Sequence, residues 1–474
     1  MSSGNNIKAL KSGIWYTVAN FLTRSIGFIT TPIFTRLLTR DEYGLYNNYI
    51  SWQSTLIILV TLNLTSTFIS ARFEFEDDFD GYISSVMSLS FLSTLIWTIA
   101  INLFPARFVN LTGVELRYLN IMMVYLLFYS AIEMFQTRER YYFEYKVSVL
   151  ISVAISVGSS LLSVLLVLTM ENRLAGRIIG NSACYILIGS VLLFYIYYKG
   201  RKVDVKYWLY ALPICTPFIP HLLSLTLLNS MDRIMITRIC GAEDNALYSL
   251  AYSCGAIITL LVTSLNTAFA PWLGEKLNDD ELDEIRSVSE KYVLLFAFLA
   301  AGIMLIVPEI LFLMGGRGYL EAIYVMPPVA FGCVCQFIYI MYVNIEQFKK
   351  KTVGMAFASV SAALLNYVLN AVLIPRYGYV AAAYTTLVSF LWLAVAHMYL
   401  VKRLGYLDAY NTKLILVILA VMSVYTVVIN YVYRLPVIRY AILAVYIVVF
   451  ICAAWKYRNL ILSIMKRRKD SRKI

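Results

Sequence analysis

Long apolar stretches separated by short polar connections run through the whole 474-residue chain. A spanning helix needs about 20 mostly apolar residues, and fourteen of the stretches meet that length. They cover residues 13–35, 45–70, 81–104, 118–136, 147–169, 178–198, 207–231, 246–271, 292–314, 322–345, 353–374, 379–401, 414–433 and 438–456. The pattern predicts an all-α integral membrane protein with about 14 transmembrane helices.

Composition and charge support this class and give it an orientation. Hydrophobic residues make up 60% of the chain and charged residues 14%, whereas soluble domains are about 45–50% apolar and about 25% charged. Of the 40 lysines and arginines, 27 fall on predicted inner connections, 12 fall on outer ones, and Arg24 lies inside a helix. The positive-inside bias therefore predicts that both termini are cytoplasmic. The net charge of +12 reflects this topology, so no nucleic-acid partner is expected.

A short motif after the first predicted helix recurs after the seventh. TRLLTRDEYGLY, from Thr35 to Tyr46, is echoed 202 positions later by TRICGAEDNALY, from Thr237 to Tyr248. Because six helices separate the copies, both halves would have the same orientation, an arrangement typical of transporters. We expect a first lobe at 1–200 (helices 1–6), a second lobe at 201–403 (helices 7–12), two additional helices at 404–460 and a basic cytoplasmic tail at 461–474. Chance similarity between apolar sequences is the alternative.

The first helix carries a polar stripe with a charge near its middle. Thr17, Asn20, Arg24 and Thr31 follow one another at helical spacing and therefore share one face. Arg24 lies about 16 Å along the predicted helix, where a charge usually faces a bundle interior or a water-filled cavity. A guanidinium there predicts an anion site, and phosphate suits its two-pronged geometry. The alternative is an ion pair with Glu133 of helix four.

The seventh helix is interrupted by prolines, and polar residues follow them. Since proline removes a backbone hydrogen bond and bends the axis, this pattern favours a gating helix that lines a cavity. The residues predicted for this role are Pro213, Pro217, Pro220, His221, Asn229, Asp232 and Arg233. For Asp232 and Arg233, a solvated pair at the outer surface is an equal alternative, and His221 is also explained as a packed polar residue. The position equivalent to Arg24 is Thr226, so the cationic element is predicted for the first half alone.

Two matched asparagines complete the candidate substrate residues. Asn63 and Asn266 are expected near the outer halves of helices two and eight, where they could hydrogen-bond across the bundle.

Chemistry other than transport finds little support in the sequence. Only two histidines and seven scattered cysteines are present, without a CxxC pair, so no metal site or cofactor is predicted. GxxxxGK[ST], HExxH and GxSxG patterns are absent, and the outer connections are short, so we do not expect an enzyme. Coupling to an H⁺ or Na⁺ gradient is left open.

Two runs carry a family resemblance: SGIWYTVANFLTRSIGFITTPIFTRLLTRDEYGLYN at the start and NSMDRIMITRICGAEDNALYSLAY at helix seven. Together with the helix plan, they resemble the polysaccharide-export branch of the multidrug/oligosaccharidyl-lipid/polysaccharide (MOP) exporter superfamily, the Wzx-type O-antigen and capsule flippases. The resemblance implies two six-helix lobes in MOP or MATE style, a cationic cavity between them and alternating access.

The resemblance also implies a substrate and a location. An undecaprenyl-diphosphate-linked oligosaccharide would be flipped from the cytoplasmic to the periplasmic face of the bacterial inner membrane, with Arg24 paired to the diphosphate. Membrane lipids and other polysaccharide-assembly membrane proteins are the implied partners. The alternatives are an ion-coupled drug or cation antiporter of the same superfamily and a membrane-embedded glycan polymerase or ligase.

Overall fold

The computed structural model describes residues 3–142 and 144–456. In that part of the chain every regular element is helical. The α-helices are α1 (Ser3–Leu37), α2 (Arg40–Thr61), α3 (Phe68–Glu74), α4 (Phe79–Leu103), α5 (Pro105–Thr112), α6 (Leu116–Tyr141), α7 (Tyr145–Thr169), α8 (Arg173–Gly200), α9 (Val205–Cys215), α10 (Phe218–Ile239), α11 (Ala242–Asn278), α12 (Leu282–Leu305), α13 (Val307–Gly315), α14 (Met326–Phe348), α15 (Thr352–Tyr377), α16 (Tyr379–Arg403), α17 (Thr412–Val432) and α18 (Pro436–Lys456).

Each predicted apolar stretch falls on one or two of these helices, but fewer than fourteen spans are confirmed. Within the described residues, ten single helices are long and apolar enough to cross a membrane, and two bent helix pairs raise the number to twelve. Neither α1 nor α18 meets the same criterion, and the apolar part of α18 is a shorter helix at Pro436–Cys452. The chain is therefore a multi-pass membrane protein, and the count of fourteen is not reached.

Each bent pair corresponds to one predicted helix that is broken in the structure. The second predicted helix bends by 50° between α2 and the segment Leu64–Glu74, because Leu62 and Asn63 both take the left-handed conformation, with φ of 56° and 50°. The seventh bends by 49° between α9 and α10, where Thr216 and Pro217 separate the two helices.

The first half of the broken seventh helix packs on elements from the first half of the chain. Tyr207 of α9 is fully buried and hydrogen-bonds through its hydroxyl to Asp78. The indole of Trp208 donates to the Ser85 carbonyl of α4 at 2.6 Å. These contacts fix α9 against α4, while α10 packs against α2 and α15 on the other side of the break. The bend therefore divides the helix between two packing environments.

The two copies of the repeated motif contact each other at the predicted outer side. Asn245, at the start of α11, donates through Nδ2 to the Gly44 carbonyl of α2 at 2.9 Å and is fully buried. Gly44 lies so close to the other helix that an added Cβ would sit 1.8 Å from the Ala242 carbonyl oxygen. We call this meeting of Gly44 with Ala242 and Asn245 the outer contact. It holds α2 and α11 together.

The last helix is held by one buried arginine. Arg439 of α18 forms a two-pronged ion pair with Glu309 of α13, with nitrogen to oxygen distances of 2.6 and 2.7 Å, and also donates to the Leu305 carbonyl at 2.7 Å. The guanidinium thus satisfies the C-terminal end of α12, where backbone carbonyls lack helical partners.

Candidate functional site

Two adjoining cavities occupy the interior at the level of Arg24. The larger, which we call the central cavity, has a volume of about 810 Å³ and is lined by α1, α10, α11, α14 and α16. The smaller, the side chamber, has about 530 Å³ and lies among α1, α2, α6, α7 and α8. Both are bounded by Arg24, Gly27, Thr31 and Ser253, so the polar face of α1 forms part of the wall of each.

Arg24 projects into this shared region with an exposed side chain. Among the described residues, no ion pair joins it to Glu133 or to any other acid. The alternative interpretation, a structural Arg24–Glu133 pair, is therefore not found in this conformation. Since an arginine at this depth has no protein counterion, its guanidinium is available to an anion in the cavity.

A second arginine reaches the central cavity from α10. Arg233 lines the cavity, with its guanidinium 4.8 Å from the centre of the Tyr252 ring, and its buried Nε has no hydrogen-bond partner among the described residues. It does not form a solvated pair at the outer surface with its neighbour Asp232. The expectation that only the first half supplies a cation is also wrong, because Arg233 belongs to the second.

Arg177, which was not singled out from the sequence, is a third cavity arginine. It lies in the second turn of α8 and lines the side chamber, with its guanidinium carbon 3.6 Å from the Phe34 ring centre and 4.5 Å from that of Tyr46. Its Nε is buried without a hydrogen-bond partner. Stacking on two aromatic rings stabilises the charge without neutralising it, so Arg177 retains donors for an anion.

Glu133 of α6 provides the one carboxylate among the residues lining the two cavities. Its Oε1 accepts a hydrogen bond from the Thr65 hydroxyl at 3.2 Å. The lining therefore holds three arginines (24, 177 and 233) and one glutamate, a formal charge of 3 − 1 = +2. Arg138, on the same helix, pairs with Asp80 at 2.6 Å and not with Glu133.

Asp232 is buried within the bundle, 1% exposed, and is not a surface residue. Its carboxylate accepts hydrogen bonds from Tyr248 and Thr386, each at 2.5 Å, and from Asn370 at 2.7 Å. Three donors from α11, α15 and α16 satisfy the carboxylate, so Asp232 ties α10 to these helices. Its neighbour Arg233 points towards the cavity.

The other predicted residues of the seventh helix divide between the break and the cavity. Pro213 lies within α9, Pro217 is the N-terminal cap of α10, and Pro220 lies in the first turn of α10. Asn229 lines the central cavity and donates to the Leu225 carbonyl at 2.8 Å. His221 lies on α10, and its side chain is outside what the structure describes.

The remaining predicted substrate residues are only partly brought together. Asn20 lines the side chamber and Thr31 lines both cavities, whereas Thr17 is exposed one turn earlier on α1 and lines neither. Asn63 follows the end of α2 that is remote from Arg40, and Asn266 lies 24 residues into α11, so neither occupies an outer half. Asn266 accepts a hydrogen bond from Asn344 at 2.7 Å but lines neither cavity.

Comparison with known protein families identifies the family of this chain. A sequence profile described as "Polysaccharide biosynthesis protein" matches residues 9–276, more than half of the chain. The chain belongs to this family. A second profile, described as MatE, matches residues 217–372. The two matches together make the chain a member of the polysaccharide-export branch of the MOP superfamily. No significant match is found among curated protein sequences.

Solved structures show the same fold at low sequence identity. The lipid II flippase MurJ, in an inward closed conformation, superposes with a TM-score of 0.72 at 15% identity, over 94% of this chain and 100% of that one. An inward-facing multidrug resistance MATE family transporter gives 0.60 at 13% identity, over 81% and 95%. A MOP superfamily transporter from Pyrococcus furiosus gives 0.55 at 12% identity, over 85% and 96%. The architecture is therefore that of MOP superfamily transporters.

Proposed function

We propose that this protein is a flippase that moves an undecaprenyl-diphosphate-linked oligosaccharide from the cytoplasmic to the periplasmic face of the bacterial inner membrane. The observation that carries the proposal is the set of three arginines, Arg24, Arg177 and Arg233, on the walls of two adjoining cavities inside the helical bundle. Membership of the polysaccharide biosynthesis family and the fold shared with a lipid II flippase support it.

The cavity charge matches the charge of a diphosphate. Arginine holds phosphate oxygens with two parallel N–H groups, and such bonds are about twice as strong as neutral ones. Among the described residues, the Nε atoms of Arg177 and Arg233 have no hydrogen-bond acceptor, so neither guanidinium is fully satisfied by the protein. In this proposal the diphosphate binds at Arg24, where the two cavities adjoin, and the polyprenyl chain stays in the lipid.

Movement follows from the way the halves of the chain meet. The outer contact closes the predicted outer side, where α2 and α11 touch. In the proposed cycle the substrate binds from the cytoplasmic side, the outer contact separates, and the headgroup leaves to the periplasm. We propose the lobes 1–200 and 201–403 as the rocking bodies, with the α9–α10 break accommodating the change.

The test is complementation of a strain that lacks this gene. Arg24→Ala is expected to abolish surface polysaccharide, because one charge-assisted hydrogen bond contributes about 1.5–3 kcal/mol and Arg24 would make at least one to the diphosphate. Arg24→Lys should restore part of it, since the charge remains but the fork is lost. Arg107→Ala, an exposed arginine of α5 outside both cavities, is the control at equal membrane abundance. Undiminished surface polysaccharide with Arg24→Ala would overturn the proposal.

A drug or cation antiporter is the second candidate function. The MatE match at residues 217–372 and the Glu133 carboxylate in the side chamber favour it. A net lining charge of +2 opposes a cationic substrate, because like charges at close range repel. Ethidium efflux that depends on this chain and is lost in Glu133→Gln would support the antiporter; its absence together with Arg24-dependent polysaccharide would support the flippase.

A further inference from the structure

The residues that line the side chamber are more polar than those that line the central cavity. Of its 23 lining residues, 19 carry a hydroxyl, amide, carboxyl or guanidinium group. The lining of the central cavity, in contrast, includes many apolar side chains, among them Phe28, Leu261 and Phe390. A volume of about 530 Å³ lies within the range of about 300–1,000 Å³ that is usual for small-molecule sites. A polyprenyl chain would leave these polar groups without partners, whereas a hydroxyl-rich group would satisfy them.

The donors and acceptors in the chamber are oriented by the protein. The Gln136 side chain donates through Nε2 to the Ser152 hydroxyl at 2.9 Å, which leaves its carbonyl oxygen available. Tyr129 and Tyr185 lie with ring centres 6.4 Å apart on the same chamber wall. Each tyrosine combines an apolar ring face with a polar hydroxyl, so the wall suits a ring-shaped ligand that has both C–H faces and hydroxyl groups.

Glu133 distinguishes this chamber from the central cavity. Its Oε1 is held by Thr65, and among the described contacts its Oε2 accepts no hydrogen bond. Glu133 lies 17 residues from the outer end of α6 and Arg24 lies 13 from that of α1, so at 1.5 Å per residue their depths differ by about 6 Å. A group attached directly to a diphosphate held by Arg24 would therefore enter the chamber that Arg24 and Glu133 both line, near the depth of this carboxylate.

We propose that the side chamber is the subsite for the sugar next to the diphosphate, and that Glu133 makes it select a neutral, hydroxyl- or amide-bearing sugar against a uronic acid. The inference rests on the proposed function. With the diphosphate paired to the arginines of the lining, Glu133 is the charge that faces the sugar. Its carboxylate accepts hydrogen bonds from sugar O–H or N–H groups, but it repels the carboxylate of a uronic acid in a site partly shielded from water.

The test compares two lipid-linked sugars that differ only at C6. The full chain in lipid nanodiscs is titrated with undecaprenyl diphosphate, with undecaprenyl-diphosphate-glucose and with undecaprenyl-diphosphate-glucuronic acid. We expect the glucosyl lipid to bind at least about tenfold more tightly than the glucuronosyl lipid, and Glu133→Gln to reduce that ratio to about threefold or less. Glu144→Gln, which removes an exposed carboxylate at the start of α7, should leave the ratio unchanged.

The outcomes separate the two proposals. If undecaprenyl diphosphate does not bind the unmodified chain, the flippase proposal fails and the sugar subsite fails with it. If it binds and Arg24→Ala weakens it, but the two glycosyl lipids bind equally or Glu133→Gln leaves their ratio unchanged, the sugar subsite alone is overturned.

Discussion

Replacing Gly44 with alanine is expected to open the outer contact. The added Cβ would sit 1.8 Å from the Ala242 carbonyl oxygen, whereas ordinary contact begins near 3.4 Å. Since the obstacle is backbone of α11 and not a flexible side chain, the two helices must separate by about 1.6 Å, the difference between those two distances. The hydrogen bond from Asn245 to the Gly44 carbonyl, now 2.9 Å, would be lost with that separation.

The energy of this change is large enough to alter populations. Overpacking costs about 1–3 kcal/mol, and leaving a buried amide unsatisfied costs about 1–3 kcal/mol more. A total of about 2–6 kcal/mol destabilises only the conformation in which the outer contact is closed. Because conformations of one protein commonly differ by a few kcal/mol, the open state should become the major one.

Cysteine labelling can measure the opening. Cys333 lines the central cavity and is buried, so it serves as the reporter in a chain whose other cysteines are replaced by serine or alanine. We expect Gly44→Ala to increase its reaction rate with a membrane-impermeant maleimide added from outside. Gly274→Ala is the control, since a Cβ there on α11 meets nothing within 4 Å. If both variants label at the same rate and both sustain transport, the outer contact does not close the cavity.

Two other substitutions test separate parts of the structure. Arg177→Ala should weaken undecaprenyl diphosphate binding by about tenfold or more, as expected for loss of a charge-assisted hydrogen bond, while Arg177→Lys keeps part of it; equal affinities measured in nanodiscs would remove Arg177 from the site. Arg439→Ala should lower the midpoint of thermal unfolding in detergent, because Glu309 loses its buried partner; an unchanged midpoint and unchanged protease resistance of α18 would show that the ion pair does not hold this helix.

Local sequence patterns were sufficient for the helices but not for all of their breaks. Apolar length alone located every predicted stretch on a helix, and the prolines at 213, 217 and 220 indicated the bend between α9 and α10. The bend after α2 had no such signal, because neither of the two residues at the break, Leu62 and Asn63, is a proline or a glycine. Asparagine tolerates the left-handed region better than most residues, but the same conformation at Leu62 has no local signal.

The candidate site shows the same limit more strongly. Asp232 looked like a surface residue because its three donors, Tyr248, Asn370 and Thr386, are 16 to 154 positions away in sequence. The position of Arg24 could be predicted, because a charged residue inside an apolar helix is recognisable from the sequence without knowledge of its contacts.

One missed residue did have a local signal. The side chain of Asn172 caps α8 by accepting from the Ala175 amide at 2.8 Å, and an asparagine before an apolar run is a helix-start signal. Reading that cap would have begun the helix at Arg173 and put Arg177 in its second turn and not on a loop.

The outer contact also bears on how such a chain could have arisen. Gly44 lies in one copy of the repeated motif, and Ala242 and Asn245 lie in the other, so the motif contacts its own duplicate. A patch that binds its own copy is the defining property of an isologous twofold dimer interface. Two identical protomers with the same membrane orientation would meet in this way, and joining them in one chain would fix their pairing. After fusion each copy is free to change alone, and Gly44 with its counterpart in the second copy, Ala246, is one such unequal pair.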